Sequence, residues 1–192
     1  MAKLATDLTP KARRTRSSLI EAAQTIIGVG GVSGVTVMEV CDTAGVGRTS
    51  FYNYFDDVSA LIENVALEAA EAVKFRFDQL HDGQPRGLLR LEKCLVMIQT
   101  MASDEPESML LLTSLAQTVV SIPNMLQREF EQELDGAELE GSLHLTDLRR
   151  EALIRFLTIS TLALSREMAL GRIPKDQIGQ QTSILLCACQ AG

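Results

Sequence analysis

The chain has 192 residues, a length that favours one ordinary domain or a small domain joined to a larger one. Hydrophobic residues make up 46% and charged residues 22%, which provides for a core and excludes wholesale disorder. The formal net charge of −7 argues weakly against a nucleic-acid-binding protein, because such proteins are often basic.

The charge is unevenly distributed along the chain. Residues 1–20 carry a local charge of +4, whereas residues 58–192 hold 12 basic and 19 acidic groups. The basic side chains of the first segment are Lys3, Lys11, Arg13, Arg14 and Arg16. This asymmetry indicates either that one end of the chain meets a polyanion or that the basic segment is a solvated tail, and charge alone leaves both open.

The composition of the chain also bears on its compartment. Residues 1–20 contain no apolar stretch typical of a secretory leader, and no run of about 18 apolar residues follows. We therefore expect a cytoplasmic protein without a membrane partner. Four cysteines fit buried thiols in a reducing compartment better than a disulfide framework: Cys41, Cys94, Cys187 and Cys189.

The spacing of apolar residues predicts an all-α fold. A first helix is expected from about Thr9 to Ile27, ended by glycines from Gly28 onward. A second is opened by Thr36, with Glu39 in a capping box, and ends near Ala44. A third runs from about Arg48 to Tyr54. The predicted antiparallel body has helices at 59–81, 87–102, 106–121, 124–135, 147–170 and 175–190, with breaks that include Ile122-Pro123 and Asp135 to Ser142.

The strongest functional signal lies between Thr36 and Phe55, where two short helices flank a glycine-containing turn. The residues expected to pack inward are Val40, Cys41, Val46, Phe51 and Phe55. The other face of the third helix carries groups suited to phosphates and base edges: Arg48, Thr49, Ser50, Tyr52, Asn53 and Tyr54. A helix of this size fits the major groove of B-DNA, which is roughly 12 Å wide. The pattern indicates a helix-turn-helix, although purely structural helix pairs share it.

These residues resemble the DNA-binding domain of the TetR (tetracycline repressor) family of transcriptional regulators. The resemblance rests on the segment from Thr36 to Phe55, on the downstream run Ala60-Leu61-Ile62, and on an upstream pattern of Arg16, Ile20, Ala23, Ile27 and Gly31. It covers roughly residues 13–65, about a third of the chain. The helices beyond it suit the family in number and length but carry no sequence signature.

The resemblance implies a homodimer in which residues 10–57 form a three-helix DNA-binding domain and residues 58–192 form a ligand-binding and dimerisation domain. It further implies that the two recognition helices enter successive major grooves of a palindromic operator in double-stranded DNA. A small effector bound in the larger domain would move the linking helix and release the operator. Since most of the family represses transcription, a repressor is expected.

The resemblance also implies roles for individual residues. Thr36 would bond a phosphate, Arg48 and Thr49 would read bases, and Gly45 would take the turn. Ser50, Tyr52 and Tyr54 would hold the DNA backbone, and Phe51 and Phe55 would pack in the core. Asn53, Lys11 and Arg14 complete the expected DNA-binding set, the two basic residues reaching phosphates or the minor groove from the N-terminal arm.

Three positions depart from the family pattern. Tyr54 stands where the family often has His, and Cys41 where it often has Ala. Val58 stands where a Lys usually contacts a phosphate, next to Asp56 and Asp57. Loss of that contact predicts weaker non-specific binding and a salt slope shallower by about one unit.

The larger domain offers candidates for an effector site and for a dimer interface. The residues expected to line a cavity are Phe75, Met97, Met101, Met109, Leu112, Met125, Phe130 and Phe156, although ordinary core packing explains each of them as well. No cluster of acidic or basic residues there indicates a charged ligand, so a neutral or apolar effector is expected. The predicted interface comprises Leu153, Phe156, Leu157, Ser160, Leu164, Ile178, Thr182, Leu185, Leu186 and Cys189, with an intramolecular core as the alternative.

Other kinds of site find little support in the sequence. His81 and His144 lack metal-ligand spacing around them, and no catalytic or phosphate-loop motif occurs, so we expect no metal, no cofactor and no enzymatic activity. The run from Glu129 to Glu140 is interpreted as a solvated acidic face and loop. The competing hypothesis is a helical ligand-binding or interaction protein that has lost sequence-specific DNA binding, which Asp56, Asp57, Val58 and the net charge motivate.

Overall fold

A computed structural model describes residues 9–80 and 83–190, and every regular element within these ranges is helical, which confirms the all-α prediction. The α-helices are α1 (Pro10–Gly30), α2 (Val37–Ala44), α3 (Arg48–Tyr52), α4 (Val58–Leu80), α5 (Leu88–Asp104), α6 (Pro106–Ala116), α7 (Ser121–Leu139), α8 (Asp147–Ala169) and α9 (Ile178–Gln190). Short 3₁₀ turns at Val32–Gly34 and Lys175–Gln177 precede α2 and α9.

Helix α1 begins as predicted but ends later. The Thr9 hydroxyl accepts a hydrogen bond from the Ala12 N–H at 3.3 Å and caps the first turn, in which Pro10 needs no N–H partner. The helix continues through Gly28 to Gly30, so its predicted end was too early. A glycine lowers helix stability by about 1 kcal/mol without forbidding the conformation. The chain leaves the helix at Gly31, whose N–H still bonds the Ile27 carbonyl at 2.9 Å.

The first three helices share one core with the body. Helix α2 packs on α1 and α3, while α1 packs on both α4 and α6. In the body α8 is central, since it contacts α5, α6 and α7, and α9 lies against α5. Helix α4 therefore connects the N-terminal helices to the body by continuity of the chain, and α6 does so by packing.

The α6–α7 region differs from the sequence prediction. Helix α6 ends at Ala116, and α7 runs from Ser121 to Leu139 across both predicted breaks. Pro123 is tolerated because it occupies the first turn of α7, where N–H groups have no partner within the helix. Gly136 lies within α7, and packing explains why this position needs a glycine. A Cβ there would fall 2.5 Å from the backbone carbonyl of Arg86. The chain before α5 thus crosses α7 in close contact.

A buried ionic cluster stands where a solvated acidic face was expected. Glu133 is fully buried; its carboxylate accepts from Arg86 at 3.0 Å and from the Gly87 N–H at 3.1 Å, and it lies 3.1 Å from Arg90. Glu129 is also buried, 3.8 Å from Arg86. The interpretation as a solvated face was wrong for these two residues. Their four-residue spacing places them on the inner side of α7, where the arginines before and within α5 compensate the charge.

Three of the four cysteines are buried, and Cys187 is exposed, contrary to expectation. Burial raises the pKa of the Cys94 thiol to about 12, assisted by the nearby Glu133 and Glu129 carboxylates. Burial likewise raises the pKa of Cys189 to about 11. Both buried thiols are therefore protonated near neutral pH.

Neither metal-binding nor membrane-spanning features stand out in the described ranges. Residues 9–80 and 83–190 contain no group of three or more His, Cys, Asp or Glu side chains placed to hold a metal ion. His81 lies outside the described residues. In the same ranges no single helix is both long enough and apolar enough to span a membrane. Helices α6 and α7 meet both criteria only when they are taken together, and they are bent by 99° relative to each other.

Candidate nucleic-acid interface

The turn between α2 and α3 depends on Gly45. This residue adopts the left-handed conformation, with φ 67° and ψ 33°, and its N–H bonds the carbonyl of Asp42 at 3.3 Å. The Val46 N–H then bonds the Cys41 carbonyl at 3.0 Å and completes the C-terminal cap of α2. The backbone reverses within three residues, so α3 starts at Arg48 in a fixed orientation relative to α2.

The inner side of this helix pair is closely packed. Phe51 is fully buried and Phe55 nearly so, and their rings lie 5.8 Å apart. Val40 and Cys41 close the same core from α2, and Val46 is half-buried against it. The inward packing predicted for these five side chains is confirmed. The core holds α3 by one face and leaves its other face free.

The free face of α3 presents polar side chains to solvent. Arg48, Thr49, Tyr52 and Asn53 are exposed, and the Tyr52 phenol ring is packed edge-on against Phe51 with 5.4 Å between centroids. Ser50 and Tyr54 are half-buried, and Tyr54 packs partly on the core. The exposed set combines a guanidinium, a hydroxyl, a phenol and an amide, which are groups that contact DNA bases and phosphates.

Thr36 caps α2, and its hydroxyl is already engaged. The Thr36 oxygen accepts from the Glu39 N–H at 3.2 Å, and the hydroxyl donates to the Glu39 carboxylate at 2.9 Å. The expected capping box is therefore present in a modified form, with the carboxylate bonded to the hydroxyl in place of the Thr36 N–H. A hydroxyl–phosphate contact would have to replace the bond to Glu39.

The basic residues of the N-terminal segment have different surroundings. Lys11, Arg13 and Arg14 are exposed within the first turns of α1, so they lie on a helix and not on an extended arm. Arg16 turns inward: it donates to Asn64 at 2.6 Å and lies 5.6 Å from the centroid of the Phe55 ring. Lys3 lies outside the described residues.

The acidic pair before α4 has a structural role in part. The Asp57 carboxylate accepts from the Ala60 N–H at 2.8 Å and caps the start of α4. Val58, the first residue of α4, is half-buried against the core, and Asp56 is exposed. Asp57 thus has a structural reason to be present, although its exposed carboxylate, like that of Asp56, still carries a negative charge that disfavours a phosphate at this position.

The sequence and the fold both match a known family. Residues 19–65, which span the helix-turn-helix and its supporting helices, match the model of bacterial regulatory proteins, tetR family. Residues 19–65 are therefore similar in sequence to the DNA-binding domain of the tetR family. No curated protein matches the sequence of the chain. The similarity to the family model confirms the resemblance seen in the segment from Thr36 to Phe55.

Several solved structures show the same fold along nearly the whole chain. A TetR-like transcriptional regulator from Rhodococcus sp. RHA1 is 15% identical, with a TM-score of 0.71, over 96% of this chain and 100% of that one. GusR of Salmonella enterica is 18% identical, with a TM-score of 0.72, over 95% and 98%. NalD, the secondary repressor of the MexAB-OprM multidrug efflux pump in Pseudomonas aeruginosa, is 17% identical, with a TM-score of 0.70, over 94% and 98%. The agreement in fold extends through the body, where the sequence has no signature.

The predicted effector residues do not form one cavity among the described residues. Met97 and Met101 line a groove of about 570 Å³ between α4 and α5. Met109, Leu112 and Phe130 are buried in the core, and Met125 is half-buried against it. Phe75 and Phe156 are exposed on the outer surfaces of α4 and α8. The expectation of a shared lining was wrong for these exposed and core residues, because helical spacing alone does not distinguish the faces of a helix packed on several sides.

The predicted dimer interface divides in a similar way. Most of its residues are buried within the protomer: Leu153, Leu157, Ile178, Thr182, Leu185 and Cys189. Ser160, Leu164 and Leu186 are half-buried, and Phe156 is exposed. The buried six already pack within the protomer, which corrects their assignment to a surface between protomers. An exposed apolar row on α8, here called the α8 stripe, consists of Leu148, Ala152, Phe156, Ile159 and Ala163.

Proposed function

We propose that this chain is a homodimeric transcriptional repressor of the TetR family that binds a palindromic operator and releases it when a small neutral or apolar effector binds. The observation that carries the proposal is the exposed polar face of α3, held on a fully buried core. Residues 10–57 would form the DNA-binding domain and residues 58–192 the regulatory domain. The proposed function includes no catalysis. It places the protein in the cytoplasm, where an operator would be bound.

The proposed DNA contacts follow from exposure. Arg48 and Thr49, at the start of α3, are assigned to base edges, because a recognition helix reads bases mainly with its N-terminal residues. Tyr52 and Asn53 are assigned to the backbone together with the half-buried Ser50 and Tyr54. Lys11 and Arg14 are assigned to phosphates from the first turns of α1, and Thr36 contributes only if Glu39 releases its hydroxyl.

The α8 stripe supports the dimer. Leu148 and Ile159 have exposed fractions of 80% and 62%, and the stripe follows the spacing of one helix face over four turns. A contiguous exposed apolar row of this kind is typical of an interaction surface. We propose that two copies of α8 pair through it, together with the exposed Ile184 and Cys187 of α9.

Equilibrium sedimentation tests the dimer. The wild-type chain should sediment as a dimer at micromolar concentration, and Phe156→Glu should shift it to monomer, because the substitution puts a carboxylate into the middle of the apolar stripe. Leu67→Glu is the matched control, since Leu67 is similarly exposed but lies on α4, away from the stripe. A monomeric wild-type chain would refute the dimer.

The groove between α4 and α5 supports a neutral or apolar effector. Its apolar lining consists of Leu80, Leu89, Val96, Met97 and Met101. Among its charged lining residues, Arg76 pairs with Glu105 at 2.8 Å and Asp104 pairs with Lys175 at 2.5 Å. Glu92 and Lys93 add one charge of each sign, so no net charge of one sign dominates the groove. A ligand lying against α4 acts on the helix that leads to the DNA-binding segment, which supplies a route to operator release.

Binding to DNA from immediately upstream of the chain's own gene tests the proposal. Fluorescence anisotropy at several salt concentrations should show tight binding that competitor DNA does not erase. A selection of bound fragments from the whole genome extends the test to operators elsewhere. Weak and equal affinity for all sequences in both experiments would favour the alternative, a helical ligand-binding protein that no longer reads DNA.

A further inference from the structure

The free face of α3 combines side chains of different hydrogen-bonding capacity. Thr49, Tyr52 and Asn53 each carry a group that both donates and accepts, so none of these three dictates which base it meets. Arg48 differs because a guanidinium only donates, through five N–H groups in a planar fork. It is also the single cation among residues 48–55. The base preference of this face therefore depends mainly on what Arg48 can pair with.

The Arg48 guanidinium is available to a ligand. The residue is exposed, and within residues 9–80 and 83–190 no carboxylate lies within ion-pairing distance of it and no group accepts a hydrogen bond from it. Arg16, in contrast, is half-buried and bonded to Asn64 and Glu68. Arg48 thus keeps its donors, whereas Arg16 is committed to the fold.

The origin of the Arg48 side chain is fixed by packing. The left-handed turn at Gly45 sets the direction of the chain into α3, and Phe51, one helical turn after Arg48, is fully buried. Thr49, the next residue along α3, is exposed and short, which leaves room for the helix to approach the edges of the bases. The guanidinium can therefore reach a base edge from a helix that is held in place from behind.

We propose that each operator half-site contains a guanine whose O6 and N7 accept a bidentate pair of hydrogen bonds from Arg48. In the major groove guanine presents two acceptors, whereas adenine presents one acceptor beside a donor, thymine one acceptor beside a methyl group, and cytosine a donor. A fork that only donates makes two bonds to guanine and no more than one to any other base. The inference rests on the proposed function and goes beyond it by naming the base.

Selection from random DNA supplies the probe. The wild-type chain enriches duplexes from a pool with roughly 30 random base pairs, which covers two half-sites. An enriched duplex is then synthesised with 7-deazaguanine in place of one guanine at a time. This analogue pairs normally with cytosine but carries C–H where guanine has N7, so one acceptor is lost. Anisotropy titration of the wild-type chain should show about tenfold weaker binding when the guanine read by Arg48 is replaced.

Variants identify that guanine. Arg48→Ala should bind the guanine and 7-deazaguanine duplexes with equal affinity at this position, because the donor that met N7 is gone. Arg14→Ala is the matched control, since Arg14 is exposed on α1 and assigned to a phosphate. It should weaken both duplexes by the same factor and keep the tenfold preference, because a phosphate contact carries no sequence information. Circular dichroism establishes that each variant is folded.

The outcomes separate this inference from the proposed function. If no duplex is enriched, sequence-specific DNA binding is refuted and the inference with it. If duplexes are enriched but contain no guanine at which Arg48→Ala abolishes the effect of 7-deazaguanine, the guanine assignment is overturned and the proposed function stands. An equal loss of affinity for enriched and random duplexes in Arg48→Ala would place the guanidinium on a phosphate and likewise overturn the assignment.

Discussion

Arg16 of α1 donates a hydrogen bond to the side-chain oxygen of Asn64 on α4, with 2.6 Å between the nitrogen and the oxygen. The Asn64 amide is itself oriented by a bond from its NH₂ group to the Ala60 carbonyl at 2.8 Å. The same guanidinium lies 3.4 Å from Glu68 and over the Phe55 ring. This arginine thus joins the helix that precedes the helix-turn-helix, the end of the recognition segment and the helix that leads into the body.

We predict that Arg16→Gln lowers the free energy of unfolding by about 1–2 kcal/mol, because it removes a charge-assisted bond and a cation–π contact. Arg14→Gln, two residues away and exposed, should leave stability unchanged within about 0.5 kcal/mol. Urea denaturation measures both. If Arg14 contacts a phosphate as proposed, its variant alone should reduce the slope of log affinity against log salt, by about one unit. The reverse assignment of effects would contradict the geometry.

The sequence was most informative where local rules dominate. The cap at Thr9, the turn at Gly45 and the inward packing of Phe51 and Phe55 follow from residue type and spacing, and the structure confirms them. Helix ends were less predictable, since Gly136 looks like a break and is required instead by the close approach of the Arg86 backbone. That contact joins residues fifty positions apart, and no local pattern reveals it.

Surface and core assignments in the body were the least predictable. Phe75 and Phe77 on α4 have the same chemistry, yet Phe75 is exposed and Phe77 fully buried. Glu133 was expected in solvent and is buried, because the arginines that compensate it come from before and within α5. Such properties arise from tertiary packing.

The turn provides a second prediction. Gly45→Ala should destabilise the chain by about 1–2 kcal/mol, since a Cβ is unfavourable at φ 67°. Gly47→Ala is the matched control: its φ is −76°, and a Cβ would have no atom within 4 Å. It should change stability by less than about 0.5 kcal/mol. Thermal and urea unfolding compare the two, and equal losses would contradict the role assigned to the left-handed turn.

The recognition helix α3 provides a third prediction, about DNA binding. Arg48→Ala should weaken binding to the cognate operator by about 1–3 kcal/mol and relax base choice at one position, if the guanidinium reads a base edge. Tyr52→Phe should weaken all sequences alike, because loss of a phenol that contacts phosphate carries no sequence information. Anisotropy titrations on an operator and its single-base variants distinguish the outcomes. A uniform loss in Arg48→Ala would reassign that residue to the backbone.

Because the Cys94 thiol is buried, we predict that the free energy of unfolding falls as the pH rises into the alkaline range. Its pKa in the folded chain is about 12, against a usual value of 9.0, so the folded state favours the protonated thiol. The resulting stabilisation is complete below about pH 9 and is lost as the pH rises toward 12. Between about pH 8 and pH 10 the ionisation of this one thiol should lower the free energy of unfolding by about 1.4 kcal/mol.

Cys94→Ala removes that component, whereas Cys187→Ala, at an exposed site, retains it. Urea unfolding across this range should therefore give parallel pH profiles for the wild type and Cys187→Ala, and a flatter one for Cys94→Ala. Three parallel profiles would show that the Cys94 thiol does not control the alkaline loss.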